Sequence, residues 1–187
     1  MTLYQDKYRI EPARLRGWDY RLRGWYFVTI CTQNRACIFG EVSAGEVQLS
    51  VMGRIAASEL HGLHAHYNNI EVDSFVVMPN HVHAIVMIDG DHGFSPNAKM
   101  SPPSRVAAFA SPLAGSLSAV IRSYKAGVTR RGRKLGLTQT VWQSRFHDHL
   151  LRGDKVISAV REYIRNNPAK WGADKENPFR PHPRLHP

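Results

Sequence analysis

The chain has 187 residues, 43% of them hydrophobic and 10% aromatic, which suits one domain with a buried core. Its 25 Lys and Arg against 15 Asp and Glu leave a formal charge of +10, which favours polyanionic partners, nucleic acid above all, or an anionic membrane surface. No apolar run approaches the roughly 18–20 residues of a membrane span, and residues 1–23 lack the apolar stretch of a secretory signal, so no membrane-spanning segment is expected. Cys31 and Cys37 then read as reduced thiols of a protein of a bacterial-type cytosol.

Residues 1–24 form a basic arm whose Arg14, Arg16, Arg21 and Arg23 are candidates for contact with DNA. Trp25 to Thr32 is rich in β-branched and aromatic residues and reads as a strand. Cys37–Gly40 and Glu46–Leu49 flank Ser43-Ala44-Gly45 as a hairpin excursion. Ser50 stands where an N-cap belongs, and apolar residues at helical spacing continue from Val51 to about Tyr67. Ile70 to Met78 and His81 to Ile88 read as two strands joined across Pro79-Asn80. The region 89–112 is punctuated by Gly and Pro and reads as a flexible connector. A long helix follows from Leu113 to about Lys134, with Leu117, Val120, Ile121, Tyr124 and Val128 as its apolar stripe. Arg122, Lys125, Arg130, Arg131, Arg133 and Lys134 crowd its far end, more charge than a helix dipole requires, and point to phosphate contact. Val141 to Arg152 reads as a further strand and Asp154 to Asn167 as a helix, N-capped by Asp154 and closed by Pro168. The Pro-rich tail 169–187 reads as extended and loosely packed. This order resembles a split βαβ arrangement. The expected class is α+β, a ferredoxin-like (RRM-like) antiparallel sheet with helices packed mainly on one face.

Chemistry concentrates in His81-Val82-His83. On a strand, residues two apart share a face, so the two imidazoles stand side by side. Burying them is costly unless each ring finds a partner, and one shared metal ion would serve both. A second pair, His147 and His149, is the rival; flanked by Arg145 and Asp148 it reads better as DNA-contacting, with Arg145 beside it. On the last helix, Tyr163 and Asn167 lie four apart, hence on one face. Tyr163 there can act as a nucleophile toward a phosphate, and Asn167 can add an oxygen ligand beside His81 and His83. Such a mixed oxygen–imidazole set suits Mg²⁺ or Mn²⁺. Tyr124, on the cationic helix, is the alternative nucleophile, although its spacing favours core packing.

Four blocks carry a family resemblance: Tyr26–Arg35, Met78–His83, Val141–Gln143 and Glu162–Trp171. Together they resemble the REP-associated tyrosine transposases, relatives of the single-tyrosine HUH transposases. The likeness spans roughly residues 20 to 178. It implies an HUH endonuclease domain over 25–168 acting on single-stranded DNA beside palindromic hairpins. By position, His81 and His83 match the metal-binding pair, Tyr163 the nucleophile and Asn167 the polar residue that helps hold the metal. The implied product is a 5′-phosphotyrosine with a free 3′-hydroxyl, made without a nucleotide cofactor, by a monomer or homodimer. The competing expectation is a catalytically silent module that binds hairpin DNA or RNA.

Overall fold

A computed structural model of the chain describes residues 3–4, 8–9, 19–90 and 115–180. Two short N-terminal strands, β1 (Leu3–Tyr4) and β2 (Tyr8–Arg9), pair with each other. The main sheet holds β3 (Gly24–Cys31), β6 (Ile70–Met78), β7 (His81–Ile88) and β8 (His147–Leu151) in the order β6-β7-β3-β8, antiparallel at every seam. A hairpin of β4 (Gly40–Ser43) and β5 (Glu46–Leu49) leads into helix α1 (Val51–His61). Helix α2 (Leu117–Lys134) joins β7 to β8, and α3 (Asp154–Asn166) follows β8. Without the excursion, the order is βαββαβ, the ferredoxin-like α+β arrangement the pattern predicts.

The period of two along each strand sorts side chains into two unequal layers. Tyr26, Val28 and Ile30 of β3 and Val82, Ala84 and Val86 of β7 face α1 and α2. They form the large core with Ile55, Leu60, Val120, Ile121, Tyr124 and Val128. The opposite face carries a much smaller cluster, Ile85, Leu151, Ile157 and Ile164, beneath α3. Two of the three described α-helices thus share one face, and α3 crosses the other. Strand β7 lies between β6 and β3 and is covered on both sides, so nearly all of its residues are buried. Its composition, apolar on both faces apart from the histidines, is what that position requires.

Local chemistry sets the element ends. Ser50 caps α1 by accepting from the Gly53 amide at 3.1 Å, as its position suggests. Gly53 allows α1 to lie against the hairpin, because a Cβ there would sit 2.0 Å from the Phe39 carbonyl oxygen. The helix ends at His61 rather than near Tyr67; Gly62 follows, and the chain tightens into a 3₁₀ turn, Leu63–Ala65. Helix α2 begins at Leu117, not Leu113, because Ser116 caps it. The strand expected over 141–152 is shorter, His147–Leu151 with an isolated bridge from Trp142 to Thr32. The Lys125 ammonium donates to the carbonyls of Gln143 and Arg145, at 2.7 and 3.0 Å, and draws that segment off the ladder. Asp154 lies in the first turn of α3 but does not cap it; Gly153, at φ 85°, occupies the cap position.

The expectation of an extended tail from Ala169 is corrected over residues 169–180, and 181–187 lie outside the described residues. Pro168 stands at the start of a 3₁₀ helix, Pro168–Ala173, where its missing N–H costs nothing. Asx-type bonds then fold 174–179: Asp174 Oδ1 accepts from the Glu176 amide at 2.7 Å, and Asn177 Oδ1 from the Phe179 amide at 2.9 Å. The Asn80 side-chain amide donates to the Glu176 carbonyl at 2.7 Å and ties the tail to the turn before β7. Residues 91–112 of the expected connector lie outside the described residues, as do Arg14 and Arg16.

Candidate active site

His81 and His83 project from β7 toward the α3 side, where each is at most 2% exposed and their ring centroids lie 4.5 Å apart. Each ring is fixed through Nδ1. The Asn80 Nδ2 group donates to the carbonyls of Arg35 and Glu176, so its Oδ1 is left to accept from His81 Nδ1, at 2.9 Å. His83 Nδ1 lies 2.9 Å from the Thr29 hydroxyl, directly across the ladder. Both Nε2 atoms are thereby turned toward the same space. His83 Nε2 meets the Tyr163 hydroxyl at 3.3 Å. His81 Nε2 is buried without a hydrogen-bond partner, with Asp174 Oδ2 at 3.9 Å.

Helix α3 delivers Tyr163 into this space. Phe27 of β3 packs edge-on against the phenol, with centroids 5.9 Å apart, and tilts against His83 at 5.1 Å. Tyr163 remains 41% exposed, so one side of the ring is open to an incoming molecule. Asn167 follows one turn later. Although Pro168 comes next, Asn167 keeps helical geometry, at φ −60°, ψ −42°. The chain can keep turning because proline is tolerated at the first position of the 3₁₀ helix that begins there. Asn167 is 2% exposed and its Oδ1 is buried without a hydrogen-bond partner.

Burial governs the protonation states. It holds His81 down to about 3, helped by the positive charges of Lys175 and Arg35. It holds His83 likewise at about 3, with His81 next in effect. Both imidazoles are therefore neutral at pH 7, the state in which they bind metal. Burial also raises the Tyr163 phenol above its usual 10, Asp174 adds to the rise, and a hydrogen bond from Asn167 opposes it.

The residues present fit a divalent cation. Ligand atoms of His81, His83 and Asp174 all lie within 4.8 Å of one another. The orphaned His81 Nε2 and Asn167 Oδ1 are the kind of buried polar atoms that such an ion would satisfy. Asp174 is the member that sequence reasoning missed. It belongs to no motif, and it reaches the site only because the tail folds back, a turn signalled at most by the Asp and Asn residues of 174–177.

The other candidates are placed as follows. Tyr124 is 1% exposed, in the large core on the opposite face of the sheet, with its hydroxyl donating to the Ala56 carbonyl at 3.3 Å. His147 and His149 are exposed on the edge strand, opposite Thr29 and Phe27, on the face that carries His83. They take no part in the metal-ligand cluster. Arg21 forks onto Asp19, and Arg23 lies 3.7 Å from Asp89. On α2, Arg131 pairs with Glu59 at 3.0 Å, while Arg122, Arg130, Arg133 and Lys134 are exposed, as is Arg145 beyond the helix.

A ferredoxin-like sheet with a His-x-His pair on a central strand, faced by a tyrosine on a crossing helix, defines the class of architecture. Among solved structures, a REP-associated tyrosine transposase bound to a REP hairpin has this fold. It is 21% identical, with a TM-score of 0.51, over 81% of this chain and 70% of that one. A crystal structure from Deinococcus radiodurans aligns at 16% identity and a TM-score of 0.42, over 82% of this chain and 95% of that one, too loosely to carry weight. The chain belongs to the same family as an uncharacterized protein of Haemophilus influenzae, with 33% identity over 169 residues, 88% of this chain and 91% of that protein. No family profile matches the chain. Among the described residues, no helix is long and apolar enough to cross a membrane.

Proposed function

We propose that the protein is a REP-associated tyrosine transposase, an HUH-type endonuclease and strand transferase that acts on single-stranded DNA beside a hairpin in the bacterial cytoplasm. The observation that carries this reading is the Tyr163 hydroxyl, 3.3 Å from His83 Nε2 and beside the cluster of His81, His83 and Asp174. The REP hairpin held by the structural relative and the charge of +10 support DNA as the substrate.

His81, His83, Asp174 and Asn167 would hold a divalent ion, Mg²⁺ or Mn²⁺, which when bound supplies Lewis-acid polarisation of the phosphate. The chain's own residues do the rest. Thr29 and Asn80 orient the two imidazoles, and Phe27 holds the phenol edge-on. Asn167 favours the phenolate, so the amide that helps hold the ion also lowers the barrier to losing the phenol proton, which the exposed side of Tyr163 releases to water. The phenolic oxygen then bonds to phosphorus as the P–O3′ bond breaks. The departing 3′-oxygen takes up a proton, and the 5′-phosphate stays on Tyr163. Attack of a 3′-hydroxyl on that linkage reverses the step, so strands are rejoined without a nucleotide cofactor.

The test incubates the full chain with a labelled hairpin bearing single-stranded flanks, in Mg²⁺ or Mn²⁺, and looks for an adduct that resists denaturing electrophoresis. The adduct should form with the wild type and vanish with Tyr163→Phe. An adduct that persists in Tyr163→Phe overturns the assignment, and hairpin binding with no adduct in either metal overturns the nuclease.

A further inference from the structure

A groove of about 580 Å³ runs between the C-terminal half of α2 and residues 142–144, away from the histidine site. Its lining includes Lys125, Thr129, Arg130, Arg133, Trp142 and Gln143. Much of this lining is already engaged. Lys125 spends its ammonium on the carbonyls of Gln143 and Arg145, and burial lowers it to about 8. Thr129 donates its hydroxyl to the Lys125 carbonyl at 2.9 Å, and Trp142 donates its indole N–H to the same oxygen at 3.1 Å. Trp142 is 9% exposed and packs on Phe39 and Tyr124, so it walls the groove and offers no face for a base to stack on.

Two guanidiniums remain. Arg130 and Arg133 lie three residues apart, on one side of the helix, both exposed. Neither has an ion pair among the described residues, whereas their neighbour Arg131 turns to Glu59 and Ser58. Four of the six cations that sequence alone counts as one patch thus separate into three uses. Lys125 clamps the loop, Arg131 ties α2 to α1, and Arg130 and Arg133 stand over the groove.

Size and position narrow the ligand. A space of about 580 Å³ is that of a small-molecule pocket, enough for a nucleotide or two and too small to enclose a duplex. The Gln143 amide donates to the Cys31 carbonyl at 3.1 Å, and Cys31 faces His81 across the ladder. The groove's Gln143 therefore lies beside the end of the sheet that bears the histidines. A strand leaving the histidine site around that end would enter the groove.

We propose, resting on the hairpin-acting function above, that this groove seats one or two nucleotides of the single-stranded flank, with Arg130 and Arg133 on their phosphates and no reading of base identity. Phosphate-only contact predicts salt-sensitive affinity that ignores sequence.

The test is fluorescence anisotropy with the full chain, in EDTA so that no cleavage intervenes. It compares a blunt hairpin with the same hairpin carrying a dT₆ or dA₆ flank on either side. For one flank side, the wild type should bind about tenfold tighter than to the blunt hairpin, equally for dT and dA. Arg130→Ala/Arg133→Ala should erase that gain, leave the blunt hairpin within about twofold, and flatten the log–log salt slope for flanked DNA by about 1.4, two single-strand phosphates at 0.7 each. Both positions are exposed, so the variant is expected to fold, and its melting temperature verifies this. Equal losses on blunt and flanked DNA would place the two arginines on the stem and overturn the proposal, as would an unchanged flank preference or a dT-versus-dA difference that the variant abolishes. Flank-dependent binding without any phosphotyrosine adduct leaves the groove standing and removes the nuclease. An adduct with flank-independent binding does the reverse.

Discussion

Two buried atoms without hydrogen-bond partners, His81 Nε2 and Asn167 Oδ1, make the site a place that an ion should stabilise. An ion bound by the folded chain alone adds RT ln(1 + [L]/Kd), about 2.7 kcal/mol at a hundredfold excess over Kd. For a chain of 187 residues, each kcal/mol moves the melting temperature by about 2–4 °C, so saturating metal should raise it by about 5–11 °C. The perturbation that tests the site is Asp174→Asn. It keeps the oxygen that accepts from the Glu176 amide, and so the fold of the tail, while removing the negative charge nearest His81. Melting would be followed by circular dichroism after dialysis against EDTA, with Mg²⁺ or Mn²⁺ restored separately. The wild type should shift, Asp174→Asn should lose most of the shift, and His81→Ala/His83→Ala all of it. A wild-type melting curve indifferent to both ions, or a shift retained by the double histidine variant, refutes the assignment.

Three further outcomes follow from the geometry. Tyr124→Phe removes a hydroxyl bonded to the Ala56 carbonyl inside the large core; it should cost about 1 kcal/mol in denaturant melts and leave adduct formation intact. His81 and His83 are held near 3, chiefly by burial, against 6.5 for a free imidazole. Below pH 6.5 the unfolded chain takes up protons that the folded chain refuses, so metal-free stability is full above that pH and declines toward pH 3. The slope reaches at most about 2.7 kcal/mol per pH unit for two protons, and a profile flat between pH 6.5 and 4 would contradict it. Arg161 forks onto Asp73 at 2.7 and 2.8 Å and lies over Trp25 at 5.5 Å, fastening the tyrosine helix to β6. Arg161→Ala should slow adduct formation by about tenfold or more through misplacement of Tyr163 while hairpin affinity holds, and Asp73→Arg/Arg161→Asp should recover part of the rate.

Much of this arrangement is legible in the sequence because it is periodic. The spacing of two in His81-Val82-His83 sends both imidazoles to one face, and the Pro79-Asn80 pair places the turn before them. The spacing of four between Tyr163 and Asn167 holds in spite of Pro168, because the next turn is 3₁₀ and needs no amide there. What periodicity does not carry is tertiary. Nothing in residues 154–166 says which face of the sheet α3 will cover. Nothing in 169–187 separates a loose tail from one that turns back through side-chain caps to place Asp174 beside His81. The short β8 is hidden for the same reason: the Lys125 ammonium that shortens it lies about twenty residues away, on a helix.

The unequal layers have a consequence for how such a protein changes over generations. Tyr163, Asn167 and Asp174 all fall within the last stretch of chain, from α3 through the folded tail, and rest on a cluster of only four buried residues. The large core on the other side owes that stretch nothing. A premature stop near Gly153, or a few substitutions under α3, would remove or displace the proposed nucleophile and metal ligands in a single event, while the large core keeps its own residues. Under the proposed function, descendants that hold nucleic acid without cutting it are one short genetic step away.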